Sequence, residues 1–291
     1  MAFRKHQITR RESFATLGVG LPAFSLGLSG CHNAKSSPKE LAADFAVIGG
    51  GLGGCAAALS ALQSGLTVIM TEETNWIGGQ LTSQGVPPDE HQWIESFGCT
   101  QTYRDLRNAI RSHYKKNYQL TADARGNKTL NPGSGSVSRL CHTPRVALAC
   151  IEAKLEPFIS SGKLTLLKQT IPIAVEANND EVKSVEVLNL ESNNHLILHG
   201  RYFADATELG DLLPMAKCEH VVGTEGRNVT GELHMPEKAS RTNQQAFTMC
   251  FAIDHNEGEN HTIDQPSEYG FWKNFTPEIT PPWPGPLLDF K

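Results

Sequence analysis

The sequence predicts an α/β fold: a parallel sheet with helices packed on it and an antiparallel β-meander inserted. Two observations predict it. Residues 44–72 run in the order strand, glycine-rich turn, small-residue helix, strand, acid, which is the order of a parallel βαβ crossover. From Lys163 onward the apolar period shortens to that of strands, with asparagine-rich turns between the runs. The chain has 291 residues, 39% hydrophobic and 20% charged, enough for one large domain or two small ones. A net charge of −5 with no polybasic block in the body argues against nucleic acid as a partner.

Asp44-Phe45-Ala46-Val47-Ile48 is a short apolar run of the kind that forms a buried parallel strand. It leads directly into Gly49-Gly50-Gly51-Leu52-Gly53-Gly54. Gly49, Gly51 and Gly54 fill the three glycine positions of G-x-G-x-x-G. Gly49 serves the tight turn, Gly51 the approach of a pyrophosphate to bare backbone, and Gly54 the close packing of helix on sheet. Gly50 and Gly53 lie in the same loop and are counted with it as cofactor-binding candidates. A helix is expected from Leu52 to about Ser64, with Cys55, Leu59 and Leu62 toward the sheet and Gly65 as its stop. Its first N–H groups face the phosphates. Leu66 to Met70 is the second strand, and Glu72 just beyond it is placed to accept both hydroxyls of an adenosine ribose. An acid there argues against NADP, whose extra phosphate calls for arginine. This is a Rossmann-like dinucleotide-binding unit, and on these residues alone both FAD and NAD remain open.

Trp76-Ile77-Gly78-Gly79-Gln80-Leu81 follows closely after Glu72. Here the chain resembles the FAD-dependent oxidoreductases of the glutathione-reductase-like flavoprotein superfamily. The longer string Trp76 to Gly85, together with Ser138-Arg139-Leu140-Cys141-His142, is similar to a bacterial branch that includes relatives of the flavin subunit of heterodisulfide reductase. The resemblance implies FAD as cofactor, with Gly78, Gly79 and Gln80 lining its middle. It also implies a strand that returns to the flavin and ends in Asp-Ala-Thr-Gly. This chain has Asp205-Ala206-Thr207, expected on the flavin side, followed by Glu208 where the commonest pattern has glycine. The implied function is two-electron transfer through FAD on a small-molecule or sugar-like substrate, the redox partner being left open. Two other readings stand beside it: a truncated, membrane-tethered domain that binds FAD weakly without catalysis, and an NAD-binding dehydrogenase.

The middle of the chain carries the remaining elements. Tyr103 to Tyr118 is an amphipathic helix on Tyr103, Leu106, Ile110 and Tyr114, with Arg104, Arg107, Arg111, Lys115 and Lys116 expected on a solvated face. Residues 131–135 form a loop, and Pro144 opens a second helix toward Phe158. Four strands are expected at 164–167, 171–175, 182–190 and 195–203, and a further one at 246–253. Prolines dominate residues 277–286.

No catalytic residue is assigned, because a flavin carries the redox step itself. Cys99, Cys141 and His142 are the nearest to candidates, although a buried cysteine beside a helix start is the plainer reading of Cys141. Cys218-Glu219-His220 is too sparse for a metal site, and no metal is expected. The sequence holds no nucleophile elbow, Walker lysine loop or H-E-x-x-H, so hydrolase and kinase readings lack support.

The N-terminus has the layout of an export signal: Arg4, Lys5, Arg10 and Arg11, then a weakly apolar stretch from Phe14 to Leu28. Arg10-Arg11 resembles a twin-arginine signal, with Phe14 one place late, and Leu28-Ser29-Gly30-Cys31 resembles a bacterial lipobox. The expectation is an exported cell-envelope lipoprotein that meets the membrane only through a lipid on Cys31; the alternative is a cytoplasmic arm. The domain plan is therefore 1–31 signal, 32–43 tether, 44–160 cofactor-binding unit with a helical insertion, 161–215 meander and return strand, and 216–291 the incomplete start of a substrate domain.

Overall fold

The computed structural model describes residues 38–247, 249–251, 254 and 256–287. The expected signal, its Cys31 and residues 32–37 of the tether lie outside them.

Six strands form one sheet: β1 (Lys39–Ile48), β2 (Val68–Thr71), β3 (Leu164–Leu167), β4 (Thr170–Asn178), β5 (Glu181–Asn189) and β6 (His195–Asp205), in the order β3-β2-β1-β6-β5-β4. β3, β2, β1 and β6 run parallel to one another; the β6-β5 and β5-β4 pairs are antiparallel. The meander is thus an extension of the parallel sheet rather than a separate layer. The first of the four expected strands is a parallel edge strand beside β2. Asn179 and Asn193, at φ +54° and +55°, take the left-handed positions of the two turns, a conformation asparagine tolerates.

β1 begins earlier than the sequence suggests. Lys39 to Ala43, expected in the tether, pair with Leu196 to Gly200. The long β6 offers an unpaired edge there, and main-chain hydrogen bonding needs no apolar side chain to use it.

The sheet is buried on both faces around β1. Val47 turns to one side and Ala46 and Ile48 to the other, and none of the three is exposed. The Val47 face carries helices α1 (Leu52–Gln63), α2 (Gln101–Asn117) and α4 (Pro144–Ser160), packed through Leu59, Leu62, Ile110, Ile151 and Leu155. The short helix α3 (Ala122–Gly126) follows α2. The opposite face is closed by Val185, Val187 and Leu198 with Leu212 from α5 (Leu212–Met215).

α2 corrects an expectation. Its arginines do not form a solvated face: Arg107 and Arg111 are buried. Arg107 grips Glu90 with one guanidinium nitrogen and Glu95 with another. Arg111 holds Glu95 at 2.6 Å and donates from Nε to the Leu130 carbonyl at 2.9 Å. Tyr103 adds a 2.5 Å hydrogen bond to Glu90. The network staples the segment after Gly85 onto α2, and burial is tolerable because nearly every charge finds an opposite one. Burial alone would raise the Glu95 pKa. The Arg111 hydrogen bond and the charges of Arg107 and Arg111 more than offset that, so the carboxyl ends below its usual range.

Beyond α5 the described residues hold the short helices α6 (Arg227–Thr230) and α7 (Tyr269–Asn274) and one antiparallel bridge between Thr224 and Ser240. The strand expected at 246–253 does not form over its described part. Phe247 and Phe251 are 88% and 83% exposed, and an apolar run with no core to face gains little from extension. No described helix is long and apolar enough to cross a membrane.

Removing one partner from a buried ion-pair network leaves the others uncompensated, so Arg107→Ala should cost about 3–5 kcal/mol in chemical denaturation. A loss below about 1 kcal/mol would restore the solvated-face reading. The depressed Glu95 carboxyl contributes stability that is complete above the ordinary glutamate pKa of about 4.3 and is lost as pH falls through its lower folded value. Glu95→Gln should therefore flatten the decline of denaturation midpoint between about pH 5 and about pH 3. An unchanged slope would place the acid sensitivity elsewhere.

Candidate functional site

The glycine turn leaves β1 between the ends of β2 and β6. Gly49 has φ +109°, and a β-carbon on it would run into the Ala206 carbonyl. A β-carbon on Gly54 would strike the Gly49 carbonyl oxygen. Any side chain at either position is therefore excluded by main chain, which cannot move aside without parting helix from sheet. Thr71, buried at the end of β2, accepts a hydrogen bond from the Gly49 N–H at 3.0 Å and holds the turn. The Ala206 N–H donates to the Ile48 carbonyl at 2.7 Å, so the end of β6 lies against the turn.

α1 starts at Leu52 with no side-chain cap and no acidic residue in its first turn. Its first intrahelical bond runs from the Cys55 N–H to the Gly51 carbonyl, leaving the N–H groups of Leu52, Gly53 and Gly54 for a ligand. Gly51 is otherwise open: a β-carbon there meets only the Glu208 carboxylate, at 3.2 Å. A β-carbon on Gly53 meets nothing within 4 Å.

Two cavities flank this loop and share Gly51, Gln84, Ala206, Thr207 and Glu208 in their walls. One, of about 270 Å³, also reaches Gly49, Gly50 and Glu72 at the end of β2. The other, of about 370 Å³, reaches Gly53, Gly54, Gln80, Asp89 and Tyr103. Gly79 lines the first and packs its backbone against Gly51. Glu72 is buried, and its Oε1 accepts from the Thr74 N–H at 2.8 Å and the Thr74 hydroxyl at 2.7 Å; its Oε2 is directed over Gly50.

Two of the sequence-expected residues stand outside both walls. Gly78 donates its N–H to the Gly50 carbonyl at 2.8 Å and so ties the second glycine pair to the first. The Asp205 carboxylate accepts from Thr207 N–H (3.1 Å), Thr207 hydroxyl (2.7 Å) and Leu212 N–H (2.9 Å), which shapes the turn after β6. Ala206 and Thr207 themselves line the shared wall. Sequence reasoning missed Thr71 and Thr74. A threonine closing an otherwise apolar strand beside the ribose-side acid was the available signal.

Cys141 and His142 do not form a pair. The thiol points to the Ser138 carbonyl and the His142 Nδ1 faces the Thr143 carbonyl. The Cys55 thiol is pushed up to about 12, first by burial and then by the negative charge of Glu72, so it stays a neutral packing group at the loop. Among the described residues no three of His, Cys, Asp or Glu cluster as metal ligands. A third, polar cavity of about 750 Å³ opens beyond Pro88, lined by Glu90, His91, Glu95, Asn131 and Arg139 among others. The more apolar space between α1, α2 and α4 has Lys154 as its only charged group among the described residues and suits packing more than chemistry.

A side-chain-free turn at an uncapped helix start, with a carboxylate at the neighbouring strand end, defines a dinucleotide-binding α/β protein. Residues 44–283 match the FAD dependent oxidoreductase family, and the chain belongs to it. Its cofactor is FAD, and the geometry fits: the cradle that a β-carbon would fill at Gly51 is the space a diphosphate needs. No curated protein matches the chain in sequence. Among solved structures it is similar to L-proline dehydrogenase from P. horikoshii, at 17% identity and TM-score 0.32 over 60% of this chain and 24% of that one. It is also similar to adenylylsulfate reductase from the hyperthermophilic Archaeoglobus fulgidus, at 16% and 0.37 over 58% and 31%. A geranylgeranyl bacteriochlorophyll reductase-like protein from Thermoplasma acidophilum gives 16% and 0.33 over 57% and 40%. The chain thus spans about a quarter to two fifths of the length of these structures.

Gly51 and Gly54 should separate binding from folding. Gly54→Ala places a methyl group into main chain and should cost about 1–3 kcal/mol of stability with or without FAD. Gly51→Val meets only a flexible carboxylate, so the apoprotein should keep its denaturation midpoint while FAD uptake is lost. A Gly51→Val protein that takes up FAD like the parent would show that the loop serves another purpose.

Proposed function

We propose that this chain is the cofactor-holding part of an FAD-dependent oxidoreductase. The observation that carries the reading is the bare main chain from Gly49 to Gly51 facing the open start of α1, with the Glu72 carboxylate beside Gly50 in the same cavity. When bound, FAD supplies transfer of an electron pair through its flavin ring. The protein's part is to hold and orient. The N–H groups of Leu52, Gly53 and Gly54 receive the diphosphate, and Glu72 grips the adenosine ribose through Oε2 while Thr74 fixes the carboxylate. Gly79 and Gln80 border the middle of the cofactor, Gly78 anchors that border to the Gly50 carbonyl, and Ala206 and Thr207 pass along the flavin side, with Asp205 shaping their turn. Gly49 and Gly50 carry the main chain past the adenosine end.

The finer placement rests on likeness in sequence. Trp76 to Gly85 and Ser138 to His142 support a place in the glutathione-reductase-like superfamily, on the branch with the heterodisulfide reductase flavin subunit. The polar cavity beyond Pro88 supports a polar, sugar-like substrate reached from the Tyr103 side of the site, since its lining offers carboxylates, an amide, an imidazole and a guanidinium. The order of Arg10-Arg11, apolar stretch and Cys31 supports export as a lipid-anchored protein.

Titration with FAD and with FMN, followed by flavin fluorescence, tests the orientation. Hydrogen bonds to a charged partner contribute about 1.5–3 kcal/mol, so Glu72→Gln should weaken FAD about tenfold or more. FMN lacks the adenosine, so its affinity should hold. Equal losses for both ligands, or no loss for FAD, would reverse the assignment of Glu72.

A further inference from the structure

Glu208 follows the return strand at the position where the commonest pattern of the resembled superfamily has glycine, and the structure shows where its side chain goes. Its Oε1 stands 3.2 Å from the place of a β-carbon on Gly51 and equally 3.2 Å from that on Gly79. The carboxylate therefore lies between the two bare loops, in the wall common to both cavities. Among the described residues it accepts no hydrogen bond and makes no ion pair. It lies beside the electropositive start of α1, whose free N–H groups attract any anion close by.

We propose that Glu208 is an internal competitor for the diphosphate: its carboxylate occupies the phosphate path next to Gly51 and Gly79, must swing out when FAD enters, and thereby sets the affinity for the cofactor. This rests on the FAD reading of the loop. The side chain is exposed at its end, so it is free to swing without disturbing the turn. Its charge stays nearby after the swing, facing two phosphate charges. Among the described residues neither cavity has a lysine or arginine in its wall to neutralise it. FAD binding is thus opposed twice, by loss of the carboxylate's own attraction to α1 and by the like charge that remains. A glycine in the same place opposes nothing.

The test compares the parent chain with Glu208→Gln and Glu208→Gly, measuring dissociation constants for FAD and for riboflavin, which carries no phosphate, by flavin fluorescence; melting temperature reports folding. A unit charge at this range near a protein surface is worth roughly a tenfold change in affinity. Both variants should bind FAD about tenfold more tightly and riboflavin as before. High salt should narrow the FAD difference by screening the repulsion. Equal FAD affinities in parent and variants would overturn the proposal while leaving the FAD site intact. Weaker FAD binding in the variants would make Glu208 a ligand to the cofactor and also overturn it. A parallel gain for riboflavin would show a general change of shape and do the same. If neither parent nor variants bind FAD, the reading of the whole loop fails, and this proposal with it.

Discussion

Main chain touches main chain at the cofactor corner: the Gly49 carbonyl lies against Gly54, and the Ala206 carbonyl lies against Gly49. Each contact brings together elements from different parts of the sequence: the end of β1, the start of α1 and the end of β6. Because no side chain intervenes, the helix start is drawn down to the level of the strand ends. That position decides where its free N–H groups point. It also decides that Glu72, at the end of the adjacent strand, shares a cavity with them. The Thr71 hydroxyl and the Gly78 N–H then hold the two glycine loops from either side. The site is in this sense a by-product of close packing, and its chemistry follows from what the packing leaves uncovered.

This explains which parts were legible beforehand. The βαβ unit is specified locally, since each glycine is required by a contact within the unit or just beside it, and α1 takes the expected face through Cys55, Leu59 and Leu62. The turns at Asn179 and Asn193 are likewise decided by the residue that occupies them. Strand extent is not local. Lys39 to Ala43 form a strand because β6 is long enough to pair with them, and that length is invisible from residue 39. Residues 246–253 have strand-like composition, but Phe247 and Phe251 meet solvent and no core, so composition misleads there.

The arginines of α2 show the same limit for charge. Helical spacing in fact puts Arg107 on the apolar stripe, four residues after Tyr103 and three before Ile110, and Arg111 at its edge, but a charged residue ordinarily meets water unless a partner is at hand. Glu90 and Glu95 arrive from a segment with no regular structure, which no periodicity announces, and turn that face into an interior. The consequence reaches the site. The stapled segment carries Pro88 and Asp89 into the cavity wall opposite the glycine loop, and Tyr103, hydrogen-bonded to Glu90, faces the same space. Buried charge here fixes the position of one wall and holds the boundary between the cofactor side and the polar cavity beyond it.

Among the described residues the two cavities are lined by the acidic residues Glu72, Glu73, Asp89, Glu208 and Asp211 and by no lysine or arginine, an unusual setting for an anionic ligand. Attraction for a diphosphate must then come from main-chain N–H groups and the α1 dipole, whose reach is limited to the first turn of the helix. Such a site rewards a phosphate held at hydrogen-bonding distance and offers little to one a few ångströms away. Lysines on flexible stems would attract anions of many shapes from a distance, whereas fixed N–H groups amid carboxylates favour the single ligand that fits. With FAD placed as proposed, selectivity by fit and a modest affinity would be two results of the same arrangement. The acids around the loop make sense as part of it, because each one raises the cost of an anion that binds without reaching the N–H groups.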